Sequence, residues 1–232
     1  MSEKVKKLCH VGFIMDGNGR WAKKQGKARS FGHKKGADAI LNVLEGCFDK
    51  DVEVVSLYAF STENWSRPKE EIDTIFNLLR DFLKKYSKKL DEEEIRLVIS
   101  GDITPISEDL KAQCIKLTEK TKHYKKHVLN IALNYGSRAE IIRAINYLKD
   151  KQGEVTEEDV SQSLYTAGLP EIDLVVRTSG EKRLSNFFLW QCAYSEFYFT
   201  DVLWPDFTKE ETLKAIDWFY GRKRRFGGIE DA

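Results

Sequence analysis

Two kinds of segment alternate along the chain, and they predict alternating strands and helices. Short runs of β-branched and other apolar residues indicate buried strands, whereas longer stretches with apolar residues at helical spacing indicate helices. The predicted strands cover residues 11–15, 52–60, 96–99, 129–133 and 174–176. The predicted helices cover residues 36–50, 69–90, 108–122, 138–150, 157–167 and 209–220.

The segment 69–90 carries the clearest helical pattern. Pro68 precedes it, where proline favours the start of a helix. Its apolar residues recur every three or four positions and therefore share one face. They are Ile72, Ile75, Phe76, Leu79, Phe82, Leu83, Tyr86 and Leu90.

Alternating strands and helices predict an α/β fold, with a mainly parallel central sheet flanked by helices on both faces. The 232 residues contain no internal repeat, no low-complexity segment and no linker rich in proline, glycine or serine. We therefore expect a single domain over residues 1–232.

Charge and cysteine content narrow the class of protein. The chain has 38 Lys and Arg residues against 37 Asp and Glu residues, a formal net charge of +1. This balance argues against nucleic-acid binding through the overall field, so an anionic ligand needs a local cluster of cations. The four cysteines lack metal-ligand spacing, and no apolar run suggests a signal peptide or a membrane span. We expect a cytoplasmic protein with reduced cysteines.

Polar loops follow each predicted strand, at the edge where α/β sheets bind ligands. These loops cover residues 16–21, 61–68, 100–102, 134–138 and 177–183. The first, second and fifth each combine a carboxylate, small residues and arginine. This coincidence is the strongest functional signal that the residues carry by themselves.

The first loop has the composition of a diphosphate site. Gly17 and Gly19 allow close approach of backbone N–H groups to an anion, and Arg20 offers a bidentate clamp. Asp16 is placed to hold Mg²⁺ bound to phosphate oxygens. A tight turn capped by Asp16 explains the same residues equally well. The spacing of Gly17, Gly19 and Ala22 also fits a dinucleotide fingerprint, although Asp16 would repel a pyrophosphate unless a metal intervened.

The second and fifth loops each admit a structural alternative. Ser61, Glu63, Asn64 and Arg67 beside Trp65 suit a polar head with an apolar tail, or else a capping box that starts the next helix. The fifth loop, with Arg177 and Arg183 six residues apart among hydroxyl groups, suits a second anion, or else a salt-bridged surface turn.

Two further residues stand out by their surroundings. Glu196 lies within the aromatic run 187–199, where a carboxylate is costly unless a cation or a metal pairs with it. A structural ion pair with an arginine and a role in the functional site explain Glu196 equally well. His33 follows Arg29 by four residues, so a helix places both on one side. Phosphate contact or simple exposure would both explain that spacing.

Taken together, the loops resemble the cis-prenyltransferase family, also called isoprenyl transferases. The matching stretches, in order, cover residues 16–22 (D-G-N-G-R-W-A), 32–33, 61–68 (S-T-E-N-W-S-R-P), 177–185, 190–191 and 224–228. Ser179 departs from the pattern, since a second glycine is common there. The resemblance implies an α/β fold with an apolar tunnel, and homodimers.

The resemblance also implies a reaction. Such enzymes condense isopentenyl diphosphate repeatedly onto an allylic diphosphate, farnesyl diphosphate, with Mg²⁺. The implied product is a long-chain polyprenyl diphosphate such as undecaprenyl diphosphate, the precursor of the lipid carrier for cell-wall synthesis. At most peripheral membrane contact, and no nucleic-acid partner, is expected.

Residue roles follow from the resemblance, position by position. Asp16 and Asn64 would be catalytic, and Asp16 and Glu196 would serve the metal. A neutral amide is a poor base, so we expect Asn64 to orient a diphosphate oxygen that takes the proton. The other implied substrate contacts are Gly17, Asn18, Gly19, Arg20, Trp21, Arg29 and His33 in the first part of the chain, Ser61, Thr62, Glu63, Trp65 and Arg67 in the second loop, and Arg177, Arg183, Leu184 and Ser185 in the fifth.

Two other classes of function compete with this enzyme. A dinucleotide oxidoreductase explains only the first loop. A non-catalytic prenyltransferase subunit would tend to lose the carboxylate and the arginines, whereas Asp16 and Arg20 are present.

Overall fold

The computed structural model describes residues 7–222, and within that range six strands form one parallel sheet. Their order across the sheet is β3-β4-β2-β1-β5-β6. The strands are β1 (His10–Ile14), β2 (Val54–Ser61), β3 (Ile95–Ser100), β4 (His127–Tyr135), β5 (Leu174–Arg177) and β6 (Glu196–Phe199). The helices are α1 (Asn18–Lys24), α2 (Arg29–Phe48), α3 (Lys69–Glu92), α4 (Glu108–Thr121), α5 (Ser137–Leu148), α6 (Glu157–Ser163) and α7 (Lys209–Tyr220).

Successive residues of the central strands face opposite sides of the sheet, and each side has its own core. Phe13 belongs to the larger core, in which α2, α3, α4 and α7 cover the sheet. Its neighbour Ile14 belongs to the smaller core on the opposite side, together with Phe187 and Phe188. Complete burial of each such side chain contributes roughly 1.5–3 kcal/mol.

The predicted α/β fold with a parallel sheet is confirmed, and the predicted helix over 69–90 begins at the same residue as α3. Four elements differ most from the prediction. Helix α1 was not predicted, α2 begins at Arg29 instead of residue 36, α6 ends at Ser163 instead of residue 167, and the edge strand β6 lies inside the aromatic run. Short or evenly half-buried elements lack the periodic apolar pattern that prediction needs.

The early start of α2 depends on contact with α1. A Cβ atom on Gly32 would lie 2.0 Å from the carbonyl oxygen of Asn18, so only glycine permits this approach of the two helices. Apart from Phe31 and glycine, the first turns of α2 are polar and basic, which gives them no apolar stripe in the sequence.

A buried polar chain links four neighbouring strands near the middle of the sheet. His10 Nδ1 lies 2.7 Å from the carbonyl oxygen of Pro170, and its Nε2 lies 2.7 Å from Ser56 Oγ. Asn130 Nδ2 donates to Ser56 Oγ at 2.9 Å, and Ser100 Oγ donates to Asn130 Oδ1 at 2.8 Å. Burial lowers the pKa of His10 to about 4, so the ring is neutral at pH 7.

All six strands run in one direction, so their carboxyl ends lie along one edge of the sheet. The first, second and fifth polar loops leave β1, β2 and β5 at this edge, and these three strands are neighbours. None of the helices in residues 7–222 has the length and apolar character required to cross a membrane.

Candidate active site

Asp16 lies two residues beyond the end of β1 and faces two arginines. Its Oδ1 accepts a hydrogen bond from Gly17 N at 2.7 Å. Its Oδ2 lies 3.1 Å from Nη2 of Arg177 and 3.4 Å from Nη2 of Arg20. The N-cap of α1 is Gly17 and no side chain caps this helix, so the structure shows Asp16 in a charged cluster and not as a helix cap.

Arg20 and Arg177 join the first loop to the fifth. Arg20 Nη1 donates to the carbonyl oxygen of Ser179 at 2.8 Å and lies 3.2 Å from Glu181 Oε1. Arg177 is buried, and its Nη1 donates to Ser185 Oγ at 2.8 Å. Its Nε has no hydrogen-bond partner among the described residues. Arg183, more exposed, forms an ion pair with Glu181.

The second loop forms a 3-10 helix over Thr62–Ser66 that brings Asn64 to the same edge. Asn64 Oδ1 accepts a hydrogen bond from Ser61 N at 3.1 Å. The amide NH₂ group is therefore the part of Asn64 that remains to act as a donor. Trp65 Nε1 donates to Asn134 Oδ1 at 2.8 Å, which fixes this turn against the exit of β4.

Glu71 is a site residue that sequence reasoning missed. Its side chain is only 8% exposed, yet three cationic or ring nitrogens surround it. Arg67 Nη1 lies 2.9 Å from Oε1, His33 Nε2 lies 3.2 Å from Oε1, and Arg29 Nε lies 3.3 Å from Oε2. The four-residue spacing between Arg67 and Glu71 was the available signal. Burial lowers the pKa of His33 by more than the contact with Glu71 raises it, so the ring stays neutral at pH 7.

A cavity opens beside these groups, with an empty volume of about 990 Å³ that includes solvent at its mouth. One end is polar and charged, and the other is apolar. The polar lining comes from Asp16, Gly17, Asn18, Gly19, Arg29, His33, Asn64 and Arg67. The apolar lining comes from Ile40, Leu57, Ala59, Ile75, Leu78, Leu79, Phe82 and Ile131.

Phe82 also lines a second cavity, of about 750 Å³, which extends toward His127 at the start of β4. The apolar stripe of α3 is therefore shared between the core and a cavity wall. Ile75 and Leu79 line the first cavity, whereas Leu83 is fully buried in the core. Phe82 stands between the two cavities.

Several residues expected to contact substrate also make structural contacts. Trp21 is buried, donates from Nε1 to Asp206 Oδ1 at 2.7 Å and stacks on Phe31. Leu184 packs against the smaller core. Thr62 lies close to Gly136, at the exit of β4.

The structure does not bring Glu196 to Asp16. Glu196 is the first residue of β6 and pairs with Leu174, at the beginning of β5. The carboxyl end of β5, where Arg177 lies, is three residues further on, about 10 Å along the strand. Glu196 Oε2 lies 3.5 Å from Arg222 Nε, so the arginine pair is the alternative that the described residues contain. The matching stretch 224–228 lies outside the described residues.

The donors at this edge fit Mg²⁺ that is held mainly by substrate oxygens. No group of three or more His, Cys, Asp or Glu side chains in residues 7–222 is arranged to hold a metal ion by itself. Asp16 offers one carboxylate, partly exposed and surrounded by cations suited to phosphate oxygens. Mg²⁺ sites often combine one or two carboxylates with substrate phosphates, so the residues present suit that ion.

A charged cluster at one end of an apolar cavity defines a protein that holds an anionic head group with an apolar tail. Comparison with known proteins agrees. The family model described as "Putative undecaprenyl diphosphate synthase" matches residues 14–227. The isoprenyl transferase of Fusobacterium nucleatum is 51% identical over 223 residues, covering 96% of each chain. That of Streptococcus mutans is 46% identical over 236 residues, covering 95% of this chain and 93% of the relative.

Solved structures agree as well. A probable undecaprenyl diphosphate synthase from Campylobacter jejuni superposes with a TM-score of 0.82 at 38% identity, covering 96% of this chain and 100% of that one. Lavandulyl diphosphate synthase from Lavandula x intermedia, solved with dimethylallyl diphosphate, gives 0.91 at 30% identity, covering 97% and 100%. The chain belongs to the undecaprenyl diphosphate synthase family of isoprenyl transferases. It is a prenyltransferase, and this family membership excludes the oxidoreductase alternative.

Proposed function

We propose that this chain is a Mg²⁺-dependent polyprenyl diphosphate synthase that adds isopentenyl diphosphate repeatedly to farnesyl diphosphate. One observation carries the proposal: Asp16 lies between cations of the first and fifth loops at the charged end of an apolar cavity. In the reaction the allylic carbon–oxygen bond breaks, a carbon–carbon bond forms to isopentenyl diphosphate, and that substrate loses a proton.

The allylic diphosphate would bind at the cavity entrance. Gly17, Gly19, Arg29 and Arg67 line the cavity there. The backbone N–H of Gly19 and the two guanidinium groups would contact the diphosphate, whereas the N–H of Gly17 already donates to Asp16 Oδ1. His33, held neutral by burial, directs its single N–H from Nε2 to Glu71 Oε1, so it would line this site without adding charge. The apolar tail would extend along α3, away from water.

Isopentenyl diphosphate would bind on the other side of Asp16. Arg177 and Ser185 already share a hydrogen bond, and Arg183 lies beside them on the exposed side. The unpartnered Nε of Arg177 supports a further anionic contact at this position.

The metal supplies charge stabilisation for the departing diphosphate when it is bound. Asp16 would hold it, with Glu196 of the same chain too far along β6 to share it. Arg20 and Arg177, which neutralise Asp16 in the present structure, would turn toward phosphate oxygens.

The proton of isopentenyl diphosphate would pass to a diphosphate oxygen, oriented by Asn64. The carbonyl oxygen of Asn64 is already engaged by Ser61 N, which leaves its NH₂ group to contact an oxygen. Burial raises the pKa of the nearby Tyr58 hydroxyl, so this group is also a donor and not a base.

A homodimer is supported by an apolar surface on one side of the molecule. Ile142 and Ile145, one turn apart on α5, and the neighbouring Leu189 are exposed, although large apolar side chains are usually buried. None of the four cysteines forms a disulfide within residues 7–222, which supports a cytoplasmic location.

The deciding experiment incubates the purified chain with farnesyl diphosphate, labelled isopentenyl diphosphate and Mg²⁺, and then sizes the products. We expect a ladder that ends near undecaprenyl diphosphate, and loss of product when a chelator removes the metal. Dimethylallyl diphosphate as the allylic substrate gives a matched comparison. An absence of chain elongation under all these conditions would contradict the proposal.

A further inference from the structure

The segment after the fifth loop has a strained backbone. Ser185, Asn186 and Phe188 have φ values of 51°, 64° and 42°, in the left-handed region that residues with a Cβ atom rarely adopt. Such conformations persist only where surrounding contacts hold them. Because Ser185 contacts Arg177, the strain lies directly beside the proposed site for isopentenyl diphosphate.

Asn186 makes several of the contacts that hold this turn. Its main-chain oxygen accepts from Ser137 N at 2.9 Å, and its Oδ1 accepts from Arg138 N at 2.9 Å, at the start of α5. Its Nδ2 donates to Glu63 Oε1 at 3.0 Å. One residue therefore joins the fifth loop, the beginning of α5 and the 3-10 turn that carries Asn64.

The exit of β4 is shaped to allow this junction. A Cβ atom on Gly136 would lie 2.6 Å from Thr62 Oγ1 and 2.8 Å from Asn186 Nδ2, so a larger residue would separate the second and fifth loops. The Tyr58 hydroxyl lies 3.1 Å from the carbonyl oxygen of Tyr135 and 3.3 Å from that of Ser185. The two loops thus meet across one strand end.

Glu63 is the acceptor in this junction. Partial burial raises the pKa of Glu63, but hydrogen bonds lower it by more. The hydrogen bond from Asn186 is the largest of these lowering effects. The Glu63 carboxylate is therefore ionised at neutral pH and strengthens the bond from the amide.

We propose that Asn186 is a positioning residue that couples the two halves of the active site. It holds Ser185 on the isopentenyl diphosphate side and, through Glu63, the turn that carries Asn64. This inference rests on the proposed function, which assigns Ser185 and Asn64 to the reaction. The cluster of Arg29, His33 and Arg67 around Glu71 makes no hydrogen bond or ion pair with Asn186 among the described residues. Arg67 ends the same 3-10 turn, but Glu71 holds its side chain separately, so we expect the allylic diphosphate site to depend less on Asn186 than the isopentenyl diphosphate site does.

Asn186→Asp tests the coupling with little change of shape. Aspartate keeps the acceptor for Arg138 N and tolerates a left-handed backbone, but it replaces the donor with a second carboxylate facing Glu63. We expect kcat/KM for isopentenyl diphosphate to fall about tenfold, with KM for the allylic diphosphate nearly unchanged. Activity should recover in part as the pH is lowered, because protonation of one carboxylate restores a donor.

The double variant Asn186→Asp/Glu63→Gln exchanges donor and acceptor and should regain activity over Asn186→Asp alone. Asn77→Asp, the same chemical change on the exposed face of α3, is the matched control and should leave both KM values unchanged. Thermal unfolding of each variant separates a loss of folding from a loss of positioning.

The outcomes separate this inference from the proposed function. A wild-type chain that does not elongate farnesyl diphosphate contradicts the proposed function. If the wild type elongates farnesyl diphosphate and Asn186→Asp has wild-type kinetics, only the role of Asn186 is overturned. The role of Asn186 is also overturned if the double variant is no more active than Asn186→Asp, or if Asn186→Asp raises KM equally for both substrates.

Discussion

Nη2 of Arg177 lies 3.1 Å from Oδ2 of Asp16, and this ion pair joins the two proposed diphosphate sites. Strands β1 and β5 are neighbours, with Ile14 paired to Arg177, so the end of β5 faces the residues just beyond β1. The Arg177 side chain is 4% exposed and the Asp16 side chain 34%, which places the cation inside and the carboxylate at the cavity. A buried guanidinium thus orients the residue proposed to hold Mg²⁺.

Asp16→Asn should lower both activity and stability. We expect kcat to fall at least about a hundredfold, because the metal loses its carboxylate. We also expect the free energy of unfolding to fall by about 1–3 kcal/mol, because the buried Arg177 loses its charged partner. Single-turnover assays across a Mg²⁺ titration, together with urea unfolding, measure the two effects. Wild-type turnover at saturating Mg²⁺ would show that Asp16 does not hold the metal.

Glu71→Gln should weaken binding of the allylic diphosphate. The carboxylate holds Arg29, His33 and Arg67 together at the cavity, and the neutral amide cannot pair with both guanidinium groups. We expect KM for farnesyl diphosphate to rise roughly tenfold with a smaller change for isopentenyl diphosphate. Glu70→Gln, one residue earlier on the exposed side of α3, is the control. Equal KM values for both variants would exclude this role.

Phe82→Leu should lengthen the products. Phe82 lines both cavities, and a smaller side chain opens a path from the first into the second. Phe76→Leu is a matched control, since Phe76 lies on the same helix, is similarly buried and lines neither of these cavities. Each change should cost about 1–2 kcal/mol of stability. Product sizing should show longer chains for Phe82→Leu alone; the same distribution for both variants would place the end of the tunnel elsewhere.

Stability should decrease as the pH falls from 7 to 5, in part through His10. Burial lowers the pKa of His10 from 6.5 to about 4, so the unfolded chain binds a proton before the folded one does. The contribution of neutral His10 to stability is present above 6.5, the pKa of His10 in the unfolded chain, and it is lost as the pH falls toward 4, the pKa in the folded chain. It amounts to about 2 kcal/mol between pH 7 and pH 5. Urea unfolding of the wild type and of His10→Gln at both pH values checks this, and an unchanged pH dependence in the variant would contradict it.

Ile145→Lys should disrupt the proposed homodimer. Ile145 is exposed on α5, and a charge in an apolar interface is costly to desolvate. Light scattering after size exclusion should give twice the chain mass for the wild type and a smaller species for the variant. Lys116→Ile, an exposed charged position on α4, controls for surface hydrophobicity. A wild-type monomer at micromolar concentration would contradict the homodimer.

Local pattern was sufficient for much of the fold. The stripe from Ile72 to Leu90 predicts α3 because its spacing matches the helical period, and five strands were predicted because β-branched runs are bounded by polar loops. Local pattern did not predict helix α1, the first turns of α2 or β6, since their stability comes from contacts with distant parts of the chain. Gly32 against Asn18 is one example.

The candidate site divides in the same way. Asp16, Arg20, Arg177 and Asn64 were predictable because each follows a strand in a short motif, and parallel strands bring their carboxyl ends together. Glu71 was missed although Arg67 lies four residues before it, because its contacts with Arg29 and His33 arise only where α3 packs on α2. Asn186 was missed because its contacts arise only where the fifth loop meets the end of β4. Glu196 was assigned to the metal by the family resemblance, whereas the register of β6 on β5 sets it at the start of that strand, away from Asp16 of the same chain.

The order of apolar and polar residues by itself determined the class of fold and the edge of the sheet that carries the chemistry, and the particular residues of the loops after the strands indicated the family by resemblance. Only the tertiary structure decided which charges face one another: Arg177 with Asp16, the three cationic or ring groups with Glu71, and Asn186 with Glu63. Periodicity is a property of neighbours along the chain, whereas an ion pair depends on a few ångströms between elements that lie far apart in sequence.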